Sequence, residues 1–169
     1  VSVDTSPEGT AAGRQGTFAI GIPLLIGSVV LIACLFGIYT RPADFLATLW
    51  PANAILLAML IRMPGAARLS GWLFAAMGFM AADLMTGSSF LMTVILTAAN
   101  LFGVAVGYLV HLRHPERIRS LREPVSVLWL AFVAAAAAAS AGFFGMLANP
   151  LLFQRSMATG WSFWFATEF

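Results

Sequence analysis

The sequence predicts an all-α fold, a polytopic transmembrane helix bundle, on three observations. Of the 169 residues 60% are hydrophobic and only 9% charged, where a soluble domain carries about a quarter charged. The mean hydropathy is +0.90. The apolar residues gather into runs near the length of about 20 residues that a membrane-crossing helix needs, and Pro, Gly and Arg punctuate them. The architecture expected is five complete spans plus the start of a sixth, with one span kinked at Pro51.

Taken in order, residues 1–16 are polar and rich in Gly, Ser, Thr and Ala and read as a flexible lead-in, and residues 17–169 read as one integral membrane domain. Residues 17–39 form the first span, with Pro23 in its opening turns, where a missing N–H matters least. After the turn Thr40-Arg41-Pro42, residues 43–62 form the second. Leu49-Trp50-Pro51-Ala52-Asn53 interrupts this run. A helix starting at Pro51 would extend only about 18 Å, too short to cross, so the spacing predicts a single span bent at the proline. Met63-Pro64-Gly65 breaks the chain. Residues 68–85 make the third span, Thr86-Gly87-Ser88-Ser89 a tight turn, and residues 90–112 the fourth. Residues 125–147 make the fifth, ended by Ala148-Asn149-Pro150, and a sixth helix starts between Ala158 and Trp161. Val1 is no initiator residue and residues 160–169 stop inside an apolar pattern, so the chain reads as part of something longer. No signal peptide is evident.

All nine basic residues are arginine. Arg62 and Arg68 share one connection, and Arg113, Arg117, Arg119 and Arg122 share another two helices later. The alternate connections hold Arg41, none, and Arg155. The positive-inside rule then puts the N-terminus and both arginine-rich connections in the cytoplasm. A formal charge of +2 argues against nucleic acid as a partner; the arginines face lipid headgroups. Residues 113–125 have two readings: a short amphipathic helix on the inner leaflet, with Ile118 and Leu121 toward lipid, or an ordinary positive loop.

Asn53, Asp83, Asn100 and Glu168 are polar groups within the apolar runs, where an ionisable group is costly and needs a partner. At about 1.5 Å per residue, Asn53 lies about 13–15 Å below the outer end of its span, Asn100 about 15–18 Å and Glu168 about 10–15 Å. These three can therefore meet near the bilayer middle. Asp83 sits about one turn from the outer end, where Thr93 on the next helix or water would satisfy it. Trp161 and Trp164 share a helix face at i and i+3, with Glu168 one turn on. The functional reading is a pocket open to the periplasm, lined by Trp50, Asn53, Asn100, Ser140, Trp161, Trp164 and Glu168. The structural reading is a set of interhelical hydrogen bonds that fix register, with Trp161 an interfacial belt residue. Gly103 and Gly107 form a GxxxG that suits either internal packing or a dimer face.

Cys34 is the single cysteine and reads as a small buried hydrophobe. No Ser/His/Asp or Cys/His set and no phosphate loop can be assembled. His111 and His114 have ligand-like spacing but no third ligand, and read as a solvated surface pair. Neither catalysis nor a metal or cofactor is expected of this chain.

The order of features from 49–62 (Leu-Trp-Pro-Ala-Asn-Ala-Ile-Leu-Leu-Ala-Met-Leu-Ile-Arg), through Gly71-Trp72, Ala81-Ala82-Asp83-Leu84 and Thr86-Gly87 to Asn100, resembles the first-described class of membrane-associated sensor (MASE) domains. Arg122-Glu123-Pro124-Val125 and the Trp161/Trp164 pair match the same layout. The similarity covers residues 18–169. It departs at Asn53, where many members have a small residue such as glycine. It departs again at Phe165-Ala166-Thr167-Glu168, in place of an aromatic-plus-aspartate ending. The resemblance implies a bacterial inner-membrane sensory module of about eight helices. Its partners would be the bilayer, a second copy in a homodimer and a periplasmic or lipid-soluble signal. Its cytoplasmic output would typically be a GGDEF diguanylate cyclase that makes cyclic di-GMP from GTP with Mg, and sometimes a cyclic di-GMP phosphodiesterase or a histidine kinase. The alternatives are a passive membrane anchor and dimerisation module or a small-solute transporter fragment.

Overall fold

The computed structural model describes residues 9–40, 50–115, 124–153 and 156–169. Among them the secondary structure is helical: α1 Gly9–Tyr39, α2 Pro51–Arg62, α3 Leu69–Met85, α4 Phe90–Leu112, α5 Val125–Phe153 and α6 Met157–Glu168. Three helices, not five, are long and apolar enough to cross a membrane: Gly21–Tyr39 within α1, all of α4, and Val125–Leu151 within α5. The apolar helices α2 and α3 have 12 and 17 residues, about 18 and 25 Å.

The difference at α2 has a local cause. Pro51 begins the helix instead of bending it, occupying the first helical position, where a missing N–H leaves no hydrogen bond unmade. The expected turn at Arg41-Pro42 and the start of the expected second span lie outside the described residues. So do residues 1–8 and 116–123, the latter holding most of the arginine-rich connection. Other boundaries move too. α1 begins at Gly9, ahead of the expected 17, so Pro23 lies inside a helix. α5 continues through Pro150 to Phe153. α6 begins at Met157 behind a Ser156 cap, whose Oγ accepts the Thr159 N–H at 3.2 Å. The connections after α2 and α3 turn at Gly65 and Gly87, with φ of 80° and 89°, a region that L side chains enter at a cost.

Glycine contacts reveal how the helices run. A methyl group on Gly78 would stand 2.6 Å from the Gly27 carbonyl oxygen and 3.2 Å from the Val30 side chain, while Ile26 lies beside Gly71. Residue numbers rise together along this contact, so α1 and α3 are parallel. The chain must therefore travel back along the bundle between Tyr39 and Leu69, and α2 is part of that return. Gly103 faces Ala141 and Gly107 faces Ala137, so α4 and α5 are antiparallel and the GxxxG serves internal packing. Gly145 seats the Trp164 ring and Gly160 meets Asn149, making α5 and α6 antiparallel. Leu57 meets Gly107, which with the Asn53–Asn100 hydrogen bond sets α2 parallel to α4. Directions alternate from helix to helix throughout. Ile26, Val30, Leu56, Phe79, Val104 and Val133 form the buried centre, and Cys34 lies in it as expected.

Substitution separates these seams from open surface. Gly78→Ala drives a methyl into backbone and is expected to lower stability by about 1–3 kcal/mol. Gly21→Ala meets nothing within 4 Å and is expected to leave stability unchanged or raise it by about 0.5–1 kcal/mol. Thermal unfolding of the two variants in one detergent checks the difference.

Candidate functional site

Three helices deliver one polar group each to the same place. Asn53 is the third residue of α2, Asn100 lies halfway along α4, and Glu168 ends α6. At about 1.5 Å per residue, Asn100 is about 15 Å below the start of its helix and Glu168 about 16 Å below its own. The α2 N-terminus is thus held at mid-depth, level with the centre of α4. That end of α2 carries unfulfilled N–H groups and partial positive charge. Trp50 precedes it outside the helix and gives no side-chain cap.

The Asn53 amide, in this first turn, links the three helices. Its Nδ2 donates to Asn100 Oδ1 at 3.1 Å and to Glu168 Oε2 at 2.5 Å. Both acceptors are oxygens, which fixes the amide's orientation and sends Asn53 Oδ1 the other way. That oxygen is buried and makes no hydrogen bond among the described residues. Asn53 is 8% exposed and Asn100 6%. The Glu168 carboxyl group reaches the first turn of α2 through this hydrogen bond. The three groups expected to meet at the bilayer middle therefore do meet, with α6 joined to α2 and α4 through one amide.

The other residues read as lining this place have different partners. Ser140 is half-buried and donates to the Ala137 carbonyl of its own helix at 2.8 Å. Trp164 lies against Gly145, where a Cβ would stand 1.7 Å from the ring. Trp161 runs along Gly142 and is 38% exposed. It stacks on Phe165 at 5.2 Å, which stacks on Phe169 at 5.6 Å. The shared face of Trp161 and Trp164 is thus spent on α5 packing and an outward aromatic ladder. Trp50 packs against the hydrophobic core. Asp83 is buried one turn from the α3 end, and the Thr93 hydroxyl, wholly buried, makes no hydrogen bond among the described residues.

Four features escaped the sequence reading. Thr97 is buried on the Thr93–Asn100 face of α4; its spacing from both was the available signal. Asn149 donates from Nδ2 to the Ser156 carbonyl at 2.9 Å, bracing the α5–α6 connection. His111 is buried, and the His114 ring stands edge-on to Trp129 with centroids 3.8 Å apart, so the two histidines are not a solvated pair. Gly145 and Gly160 join Gly142, which ends the small-residue run 134–142 expected to pack closely, as seats of the α5–α6 contact. Among the described residues no three His, Cys, Asp or Glu side chains gather as metal ligands.

The junction has a measurable energy. A double-mutant cycle of Asn53→Ala and Glu168→Ala in bilayers is expected to show a coupling of about 0.6–1.7 kcal/mol, the range of interhelical hydrogen bonds in membranes. Asn53→Ala with Ser140→Ala, which share no partner, should be additive within about 0.5 kcal/mol. Compared with protein-family models, curated proteins and solved structures, the chain has no match.

Proposed function

We propose that this chain is a membrane sensory domain that regulates a cytoplasmic output domain, with the Asn53–Asn100–Glu168 junction as the element that a signal displaces. One observation carries the reading: a partly buried carboxyl group and two buried amides tie three separate helices together. Fixing helix register needs no carboxylate, and an intramembrane ionisable group is by default a functional feature. A signal that favours one arrangement of α6 against α2 and α4 would shift a two-state equilibrium. The resemblance to MASE domains supplies the output, a GGDEF diguanylate cyclase, in a bacterial inner-membrane homodimer with a cytoplasmic N-terminus. In this orientation α2 belongs to the second crossing, α3 makes the third, and α6 begins a sixth. The parallel course of α1 and α3 supports that count.

The second reading is a passive anchor, favoured by the glycine seams that bind α1 to α3 and α4 to α5. The two readings differ in one assay. Asn53→Ala and Glu168→Ala in the full-length protein are expected to change cyclic di-GMP synthesis from GTP and Mg by about 3–30-fold, a coupling of about 0.6–2 kcal/mol. Folding and dimerisation should be retained. Unchanged synthesis in both variants would leave the anchor.

A further inference from the structure

Along α4, Ser89, Thr93 and Thr97 recur every fourth residue and Asn100 follows three later, so they share one helix face. Thr93 is 0% and Thr97 5% exposed, and neither hydroxyl makes a hydrogen bond among the described residues. This is unusual for a hydroxyl in a helix, which ordinarily donates to a carbonyl three or four residues back. Three other hydroxyls among the described residues do so: Thr86 donates to Ala82, Ser140 to Ala137 and Thr167 to Trp164. Thr93 and Thr97 leave their hydroxyls to the interior instead. Below them, Asn53 Oδ1 is a third buried oxygen without a hydrogen bond.

The spacing of these groups names their ligand. Neighbours four apart on a helix are about 6 Å apart along the axis, and those three apart about 4.5 Å. One water accepting from one group and donating to the next spans about 5.5 Å. Buried polar groups that lack protein partners are what internal waters satisfy. At the upper end the seam opens into the polar turn of Thr86, Ser88 and Ser89, none of them buried. At the lower end it reaches Asn100 and the Asn53–Glu168 hydrogen bond.

We infer that the Ser89–Thr93–Thr97–Asn100 face of α4 binds a file of water that connects the α3–α4 turn with the Asn53–Asn100–Glu168 junction. Through that file the junction exchanges with the aqueous phase on one side of the membrane only. For the sensory reading, on which this consequence rests, the signal is narrowed to species that travel with water and away from lipid-soluble ligands.

Single cysteines in a Cys34→Ser background test the file, in protein held in lipid nanodiscs. The probe is silver ion, close to water in size, which binds the thiolate formed where water reaches. Sites it has taken are read as loss of maleimide labelling after unfolding. Thr93→Cys and Thr97→Cys are expected to react about tenfold faster than Val104→Cys, a buried apolar position on the same helix. Reaction of both threonine positions no faster than Val104→Cys would overturn the inference. Thr93→Leu added to Thr97→Cys should slow the reaction by about tenfold; an unchanged rate means water arrives by another route and also overturns it. Matched unfolding temperatures show that the variants are folded. Water access with an output that ignores Glu168 keeps the file and removes the sensory reading, whereas an output that responds to Glu168 without water access removes only the file.

Discussion

The amide of Asn53 has to satisfy a carbonyl oxygen on α4 and a carboxylate on α6 while standing in the first turn of α2, and much else in the bundle follows from that. A helix that begins level with the centre of α4, as α2 does, has first-turn N–H groups in need of acceptors inside the bundle. Pro51 removes one of those donors, and the Glu168 carboxyl group lies beside the turn that holds the rest. Remove the amide and two costs appear together: a partly buried carboxyl group without its donor and an Asn100 oxygen without its hydrogen. α6 touches α2 only lightly, so this one group is a large share of what joins them.

The remaining contacts are of another kind. Where α1 passes α3 and where α4 passes α5, glycine meets backbone or alanine closely enough that an added methyl has no room. Trp164 fills the hollow that Gly145 leaves on α5 in the same way. Such fitted apolar seams have one good register and little tolerance for sliding. A polar junction differs, since its hydrogen bonds can be exchanged for water at modest cost. The bundle thus combines stiff pairs with one boundary whose strength depends on hydration and charge, which is the physical requirement for a switch at α2–α6.

Much of this was legible in the chain because rise per residue is fixed. Counting from span ends was enough to put Asn53, Asn100 and Glu168 at one depth, and the breaker Met63-Pro64-Gly65 and the turn at Gly87 ended helices where expected. Pro51 was less legible, since a proline is compatible both with a bend and with a first helical position and the apolar run around it is the same. Trp161 and Trp164 share a face by spacing, but which neighbour that face meets depends on Gly142 and Gly145, far away in sequence. Ser140 was placed by depth alone, and depth does not tell whether a hydroxyl turns inward or back onto its own helix. His111 looked solvated because it sits among arginines, yet it lies on the same buried face of α4 as Gly107 and Val104.

The most direct measurement of the central claim is the distance from the Asn53 side-chain nitrogen to the Glu168 carboxyl carbon in the bilayer. Solid-state NMR on protein labelled at those two side chains reads it through their dipolar coupling. The account predicts a distance of about 3.5 Å, as a hydrogen bond requires. The coupling should disappear in Asn53→Ala. Absence of coupling in the wild-type protein would mean that α6 does not meet α2 through this pair, and the junction would have to be abandoned.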